Sequence, residues 1–296
     1  MSLLRTASSA LKTALAAGPV AYSADLFTVT LASGTVYYWT TWTSNLVVGG
    51  NTFVAVASPF LSRSRWNVVN TMTIPTLELR IIADNSAFAG GAQLKLQVHN
   101  GLFDGCSLLF QRVFMPTPGD VTTLGTVDLF KGDGGKAQII GTGIVLHVKG
   151  RNNRLNVPAP RNTYTTTCLH TFCDAGCTLS RATFTASYAV GSSPAPTAIF
   201  LPWASAPGTP GRYALGSVTM TSGADSGAKR SIVKADSTGV FLAYPLYVVP
   251  SAGDTFTAFQ GCDKKFTTCN ATYSNAVNFR GFPFLPLPED TAHGQF

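Results

Sequence analysis

Four of the six cysteines in this 296-residue chain fall into two pairs about ninety residues apart. Cys168 and Cys177 have eight residues between them, and Cys262 and Cys269 have six. Both pairs sit in loop-like sequence rich in Gly, Asp and Thr. Thiolates brought together from distant segments can hold a zinc ion or an iron–sulfur cluster. Closed zinc sites usually use C-x2-4-C knuckles, because a short turn points both sulfurs at one ion, and neither pair has that spacing. A cluster is larger, and each iron takes one sulfur from its own direction. On spacing alone, a cluster, a zinc ion and unrelated buried thiols all stay open. Cys173 lies inside the first pair and can substitute as a ligand. His170, two residues after Cys168, can support the site from the side or act as an alternative ligand. Cys106, followed by Ser107-Leu108-Leu109-Phe110, reads as a small buried hydrophobe in a strand.

Signs of catalysis are weak. The histidines are His99, His147, His170 and His293, and none sits in an H-E-x-x-H pattern. There is no G-x-S-x-G elbow, Walker A loop or dinucleotide fingerprint. The 14 carboxylates are scattered, and Asp133 and Asp254 follow glycine as turn residues do. The expectation is a protein that is not an enzyme.

The elements that must position the cysteines are mostly strands. Charged residues make up 12% of the chain, about half the usual share of roughly 25%. A surface made of Thr, Ser, Gly and Asn suits burial against neighbours, or equally a Thr-rich all-β protein. The net charge is +7, but the basic residues are dispersed; even Lys149 to Arg161 has no interleaved aromatics. A stripe of basic and stacking residues would mark a nucleic-acid binder, so direct nucleic-acid contact is not expected. No stretch of eighteen apolar residues exists, so no membrane span is expected. Leu4, Leu11 and Leu15 recur at helical spacing with Gly18 as a stop, predicting a short N-terminal helix. Lys12 interrupts what would be the apolar core of a signal peptide. Without a signal, reduced cysteines and metal are favoured over disulfides.

The predicted strands are Leu26–Leu31, Thr35–Thr43, Thr76–Ile82, Leu94–Val98, Ser107–Phe114, Thr122–Phe130 and Lys136–Val148, with hairpin turns at Gly49-Gly50 and Gly132–Gly135. The basic, Asn-rich stretch Lys149–Pro160 marks a boundary, giving domains of about 1–155 and 156–296. Later strands are predicted near Leu215–Thr221, Ala228–Lys234, Gly239–Leu246 and Asp254–Gln260. Gly191–Gly211 reads as an exposed loop and Phe279–Phe296 as an extended end. Regular short strands with Gly-rich turns argue for a barrel or sandwich, so the fold class is all-β apart from the N-terminal helix.

The residues around the cysteines carry a resemblance. Gly261-Cys262-Asp263-Lys264-Lys265-Phe266-Thr267-Thr268-Cys269, followed by Phe279-Arg280-Gly281-Phe282-Pro283, resembles the GCDK-x-F-x-TC…NFRGFP block of the tailed-phage and gene-transfer-agent tail-tip hub family. Cys168-Leu169-His170 and Gly176-Cys177 are similar to that family's first cysteine pair. Thr221–Gly227 and Ala252–Phe256 resemble its intervening segments, and Leu46–Phe53 and Asn100–Cys106 its first domain. The likeness covers roughly residues 20 to 285. The pair spacings are also similar to those of the lambda-type minor tail proteins L, whose cysteines hold a [4Fe–4S] cluster.

This resemblance implies a structural virion protein of the tail tip, assembled in the host cytoplasm. It implies a barrel-like hub domain followed by a small β domain built around a [4Fe–4S] cluster, with Cys168, Cys177, Cys262 and Cys269 as ligands. It also implies a homotrimer joining the distal tail ring to the central tip protein. Lys264 and Lys265 then offset thiolate charge, and Phe266, Phe279, Phe282 and Phe284 form an apolar wall over the cluster. Cys173 has no counterpart in the family pattern. Zinc remains the alternative metal, and a redox protein the alternative class.

Overall fold

The computed structural model describes residues 7–18, 20, 22–55, 61–65, 74–82, 94–141, 143–156 and 164–285. Leu4, Pro160, Arg161, His293 and Phe296, all named above, lie outside the described residues. The chain divides into two compact units, Met1–Val157 and Pro158–Phe296.

The first unit opens with helix α1 (Ser9–Ala17), whose start is capped by the Ser8 hydroxyl accepting from the Leu11 N–H at 3.0 Å. Leu11 is buried against Leu124 and Val127, whereas Leu15 is 49% exposed, so one leucine anchors the helix. Strands β1 (Tyr22–Thr30), β2 (Val36–Thr40), β3 (Leu46–Val48), β4 (Asn51–Ala55), β5 (Leu61–Arg63) and β6 (Thr76–Ile82) come before a short helix, α2 (Leu94–His99). Strands β7 (Ser107–Met115), β8 (Thr126–Ile140) and β9 (Gly143–Gly150) follow it. Among the described residues these make a nine-stranded sheet in the order β3-β4-β2-β1-β7-β8-β9-β6-β5. Gly49 and Gly50 both have positive φ (58° and 81°), the geometry of the tight turn that joins β3 to β4.

The sheet is rolled. Neighbouring strands lie about 4.8 Å apart, so β5 would stand far from β1 if the sheet were flat. Instead Arg63 Nε of β5 donates to Asp25 Oδ2 of β1 at 2.7 Å, and its guanidinium lies 4.8 Å from the Phe110 ring centre. Arg112 donates to the other Asp25 oxygen at 2.8 Å, so one carboxylate ties three strands. The core inside the roll holds Phe27 stacked on Phe110 (centroids 5.1 Å, 12°), with Leu77, Leu79, Ile81 and Leu146.

Two expectations fail here. Leu94–Val98 is not a strand but part of α2, a six-residue helix packed on β8; leucine and lysine in that run are good helix formers. Gly132–Gly135 is not a turn but the interior of β8, and the chain reverses only after Ile140. The glycines are required by close approach. A Cβ at Gly134 would meet Cys106 Sγ at 2.4 Å, and one at Gly132 the Lys149 carbonyl oxygen at 2.5 Å. The register shifts between Gly134 and Lys136, a bulge in a long strand. Cys106 beneath it is fully buried, and burial pushes its thiol up to about 11. The basic stretch after β9 belongs to this unit: Arg154 makes two bonds to Asp133, at 2.7 and 2.9 Å.

The second unit holds strands β10 (Thr185–Ala189), β11 (Phe200–Pro202), β12 (Ser217–Met220), β13 (Lys229–Ala235), β14 (Gly239–Leu242) and β15 (Thr255–Phe259), then helix α3 (Phe266–Ala271). Their order is β10-β15-β12-β13-β14-β11. The two edges meet. Val190 bridges Trp203, Gly191 N–H donates to the Pro202 carbonyl at 2.9 Å, and Ala204 N–H to the Ala189 carbonyl at 3.0 Å. A Cβ at Gly191 would lie 2.6 Å from the Trp203 oxygen, so this closure needs glycine. The span Gly191–Gly211, expected to be loop throughout, therefore contributes β11 and one side of the seam. Tyr188, Trp203, Tyr213 and Phe256 fill the curled sheet, with the Tyr188 and Tyr213 hydroxyls 2.7 Å apart.

Candidate metal centre

Two segments outside the curled sheet carry the cysteines. The first, residues 164–178, is folded around Asp174. Its carboxylate accepts the N–H groups of Thr171 (2.9 Å), Gly176 (2.9 Å) and Cys177 (2.7 Å). The bonds to Gly176 and Cys177 are the local turn chemistry of an Asp two or three residues before the groups it binds, and the bond to Thr171 closes the loop from the other side. The bond from Cys177 N–H is the leading cause that lowers the Asp174 carboxyl below its ordinary value. The His170 ring lies over Gly176, where a Cβ would approach Cε1 to 2.0 Å, and its Nδ1 is 3.6 Å from Asp174.

The second segment leaves β15 at Phe259 and enters Gly261-Cys262. Cys269 stands on α3, so the pair Cys262–Cys269 spans a loop and a helix. The two segments are joined by main-chain bonds. Cys168 N–H donates to the Lys264 carbonyl (2.9 Å), Leu169 N–H to that of Arg280 (3.1 Å), and Phe282 N–H to that of Thr165 (2.8 Å). Phe172 of the first segment touches Phe259, Phe184 and Tyr273, with centroids 4.7–5.4 Å apart. Arg181 caps the Phe259 ring at 3.9 Å.

Cys168, Cys177, Cys262 and Cys269 line one cavity, with Phe172, Tyr273 and Lys264 among its other walls. None of the cysteines forms a disulfide. Among the described residues, no group of three or more His, Cys, Asp or Glu side chains is set to hold a single metal ion. What the four cysteines share is the lining of this one cavity. Their mutual influence is electrostatic as well as spatial. Burial, then the neighbouring Cys168, Cys262 and Cys177, raise the Cys269 thiol. Burial likewise raises Cys262, with Asp263, Cys177 and Cys168 adding to it and the Lys264 N–H opposing it. Desolvation and Cys262 push the Tyr273 hydroxyl up to about 12, and it donates to the Gly261 carbonyl.

The donors suit thiolate. Lys264 N–H lies 3.4 Å from Cys262 Sγ, Arg280 N–H 3.4 Å from Cys168 Sγ, and Asn275 Nδ2 3.6 Å from Cys177 Sγ. N–H groups aimed at sulfur support metal-bound thiolates. The backbone also stores strain here. Among the described residues, five non-glycine positions have φ between +48° and +62°, and Cys173, Thr178, Lys264 and Ser274 all belong to these two segments. Each costs on the order of 1–3 kcal/mol and persists where its surroundings over-determine it. In its donor chemistry, a set of four cysteines with sulfur-directed N–H groups and apolar walls suits a sulfur-ligated cluster.

The expected roles of other residues divide. Lys264 is among the residues lining the cavity and serves Cys262 through its N–H. The apolar wall is made by Phe172, Leu179 and Tyr273; Phe282 and Phe284 are 46% and 91% exposed, and Phe266 stacks edge-on against Phe279. His170 lines the cavity, and Cys173 is not among its lining residues. Asn275, Asp174 and Tyr273 were not singled out by sequence reasoning. Of these only Asp174, in Asp-Ala-Gly-Cys, carries a local signal, that of an Asx turn.

Gly261 gives a sharp test of this construction. Its Cβ would fall 1.9 Å from the Ala214 oxygen and 2.5 Å from Gly216 N, both backbone atoms that cannot swing away. Gly261→Ala should destabilise the second unit by at least about 3 kcal/mol. Gly208→Ala, where a Cβ meets nothing within 4 Å, should be near neutral in the same denaturation experiment.

Residues 8–180 match the family model described as baseplate hub protein, N-terminal attachment domain. Residues 211–289 match the model of phage conserved hypothetical protein BR0599. A chain of the structure titled virion of native gene transfer agent (GTA) particle is similar in fold, with a TM-score of 0.72 at 21% identity, over 96% of this chain and 94% of that one. No curated protein matches the chain. The hub model covers more than half of the sequence, so the chain belongs to the phage baseplate hub family defined by this N-terminal attachment domain.

Proposed function

We propose that this chain is a structural, non-enzymatic subunit of the tail tip of a long-tailed phage or gene-transfer-agent-like virion. In this proposal three copies join the distal tail ring to the central tip protein, and the second unit of each is stapled by a [4Fe–4S] cluster on Cys168, Cys177, Cys262 and Cys269. The observation that carries it is the meeting of two cysteine pairs, remote in sequence, around one cavity in a baseplate hub chain. The fold shared with a gene-transfer-agent virion chain supports the setting. When bound, such a cluster supplies four metal–sulfur cross-links, and metal binding of this kind contributes folding free energy. The chain's residues do the rest. Asp174 holds the first cysteine loop, the main-chain bonds between Cys168 and Lys264 and between Leu169 and Arg280 align it with the second segment, and Phe172 and Tyr273 keep water from the sulfurs.

Omitting the chain from particle production provides the test. Particles made without it should lack a tail tip in electron micrographs, and adding back the intact chain should restore the tip. Complete, tipped particles assembled in its absence would contradict the proposal.

A further inference from the structure

Asn275 belongs to neither cysteine pair, yet it touches both. It is buried, four residues after the end of α3. Its Nδ2 donates to the Cys177 carbonyl at 2.6 Å and lies 3.6 Å from Cys177 Sγ. Its own carbonyl accepts from Cys269 Sγ at 3.3 Å, and its N–H donates to the Cys269 carbonyl at 3.0 Å. Asn275 Oδ1 accepts from Asn278 Nδ2 at 2.7 Å, and Asn278 Nδ2 also reaches Thr178 Oγ1 at 2.9 Å. That last pair of contacts fixes the amide's orientation. With Oδ1 turned to Asn278, both N–H groups are left for Cys177.

We propose that Asn275 is the positioning residue of the cysteine site, locking one cysteine of each pair to the other and tuning the electron density on the Cys177 sulfur. This rests on the cluster reading above. A cysteine must lose its proton to bind metal, so the Cys269 S–H bond to the Asn275 carbonyl is given up on loading. The Nδ2 contact with Cys177 strengthens at the same time, because a thiolate is the better acceptor. Hydrogen bonds to cluster sulfurs spread the negative charge and favour the reduced state, which raises the reduction potential. An amide supplies that bond, whereas a carboxylate of nearly the same shape would remove it and add repulsion.

The test uses the full chain, reconstituted with iron and sulfide under argon, as wild type, Asn275→Ala, Asn275→Asp and, as control, Asn270→Ala on the exposed side of α3. The readouts are midpoint potential, the rate at which the visible band bleaches in air, and unfolding temperature. Asn275→Asp should shift the potential to more negative values and bleach about tenfold faster or more, the range set by residues that support metal ligands. Asn275→Ala should move both in the same direction by less, and it supplies the comparison if Asn275→Asp does not fold. The control should match wild type. A loaded wild type whose potential and bleaching rate persist in both Asn275 variants, with only the unfolding temperature lowered, would overturn the positioning role. A wild type that takes up no iron and sulfide would overturn the cluster reading instead.

Discussion

Cys262→Ser is expected to leave the purified chain colourless and to destabilise the second unit by at least about 3 kcal/mol, the scale on which loss of a metal ligand stands out among point substitutions. Cys262 and Cys269 bracket the turn into α3, and Cys168 and Cys177 bracket the loop built on Asp174. Main-chain bonds across the two segments are few, and four strained φ values work against them. With one ligand gone, the buried Cys269 and the half-buried Cys168 and Cys177 are left with less to hold them. Thermal unfolding followed by far-ultraviolet circular dichroism and by visible absorption measures both effects. Cys173→Ser, by contrast, should keep the chromophore, since Cys173 does not line the cavity. A Cys262→Ser protein with wild-type colour and stability would show that the staple is elsewhere.

The second large effect is expected in the other unit. Phe110 is fully buried, stacked on Phe27, with the Arg63 guanidinium above its ring. Phe110→Ala should cost about 3–5 kcal/mol, the transfer and cavity cost of an aromatic core residue. It also removes the surface on which the edge strand β5 rests, where Arg63 reaches across to Asp25. Chemical denaturation should show the loss, while iron and sulfide per chain stay unchanged. Parallel loss of the chromophore would mean that the two units do not fold independently.

The contrast between these two sites explains what was legible in the sequence. The strands of the first sheet could be read because alternation sorts their faces: in β7, Leu108 and Phe110 point into the core between less buried neighbours. The Gly49-Gly50 hairpin could be read because a tight turn demands two positive φ values in succession. Gly132–Gly135 misled because the same residue type serves a different need. There it allows close approach, with Cys106 Sγ and the Lys149 carbonyl taking the space of a side chain. Such a contact is set by a strand distant in sequence and leaves no local trace. The same holds for β11, three residues long and defined only by pairing with β14 and by the seam at Trp203.

At the cysteine site the four cysteines were singled out by the family resemblance that their flanking residues carry, and the structure places all four in the lining of one cavity. The apolar wall was assigned to the wrong phenylalanines. Phe282 and Phe284 are close to the cysteines in sequence but face outward, whereas Phe172 sits inside the first loop and reaches Phe259 at the end of β15. Asn275 escaped notice because its importance lies in bonds to Cys177, ninety-eight residues away. Neighbourhood in sequence singled out the four cysteines; only the fold shows what holds them.

The most direct test of the central claim is to purify the full chain under argon and measure its visible spectrum together with iron and acid-labile sulfide. The account predicts a brown protein with a broad charge-transfer band near the blue end of the visible and about four irons and four sulfides per chain. A colourless protein carrying one zinc and no sulfide, or no metal at all, would contradict it.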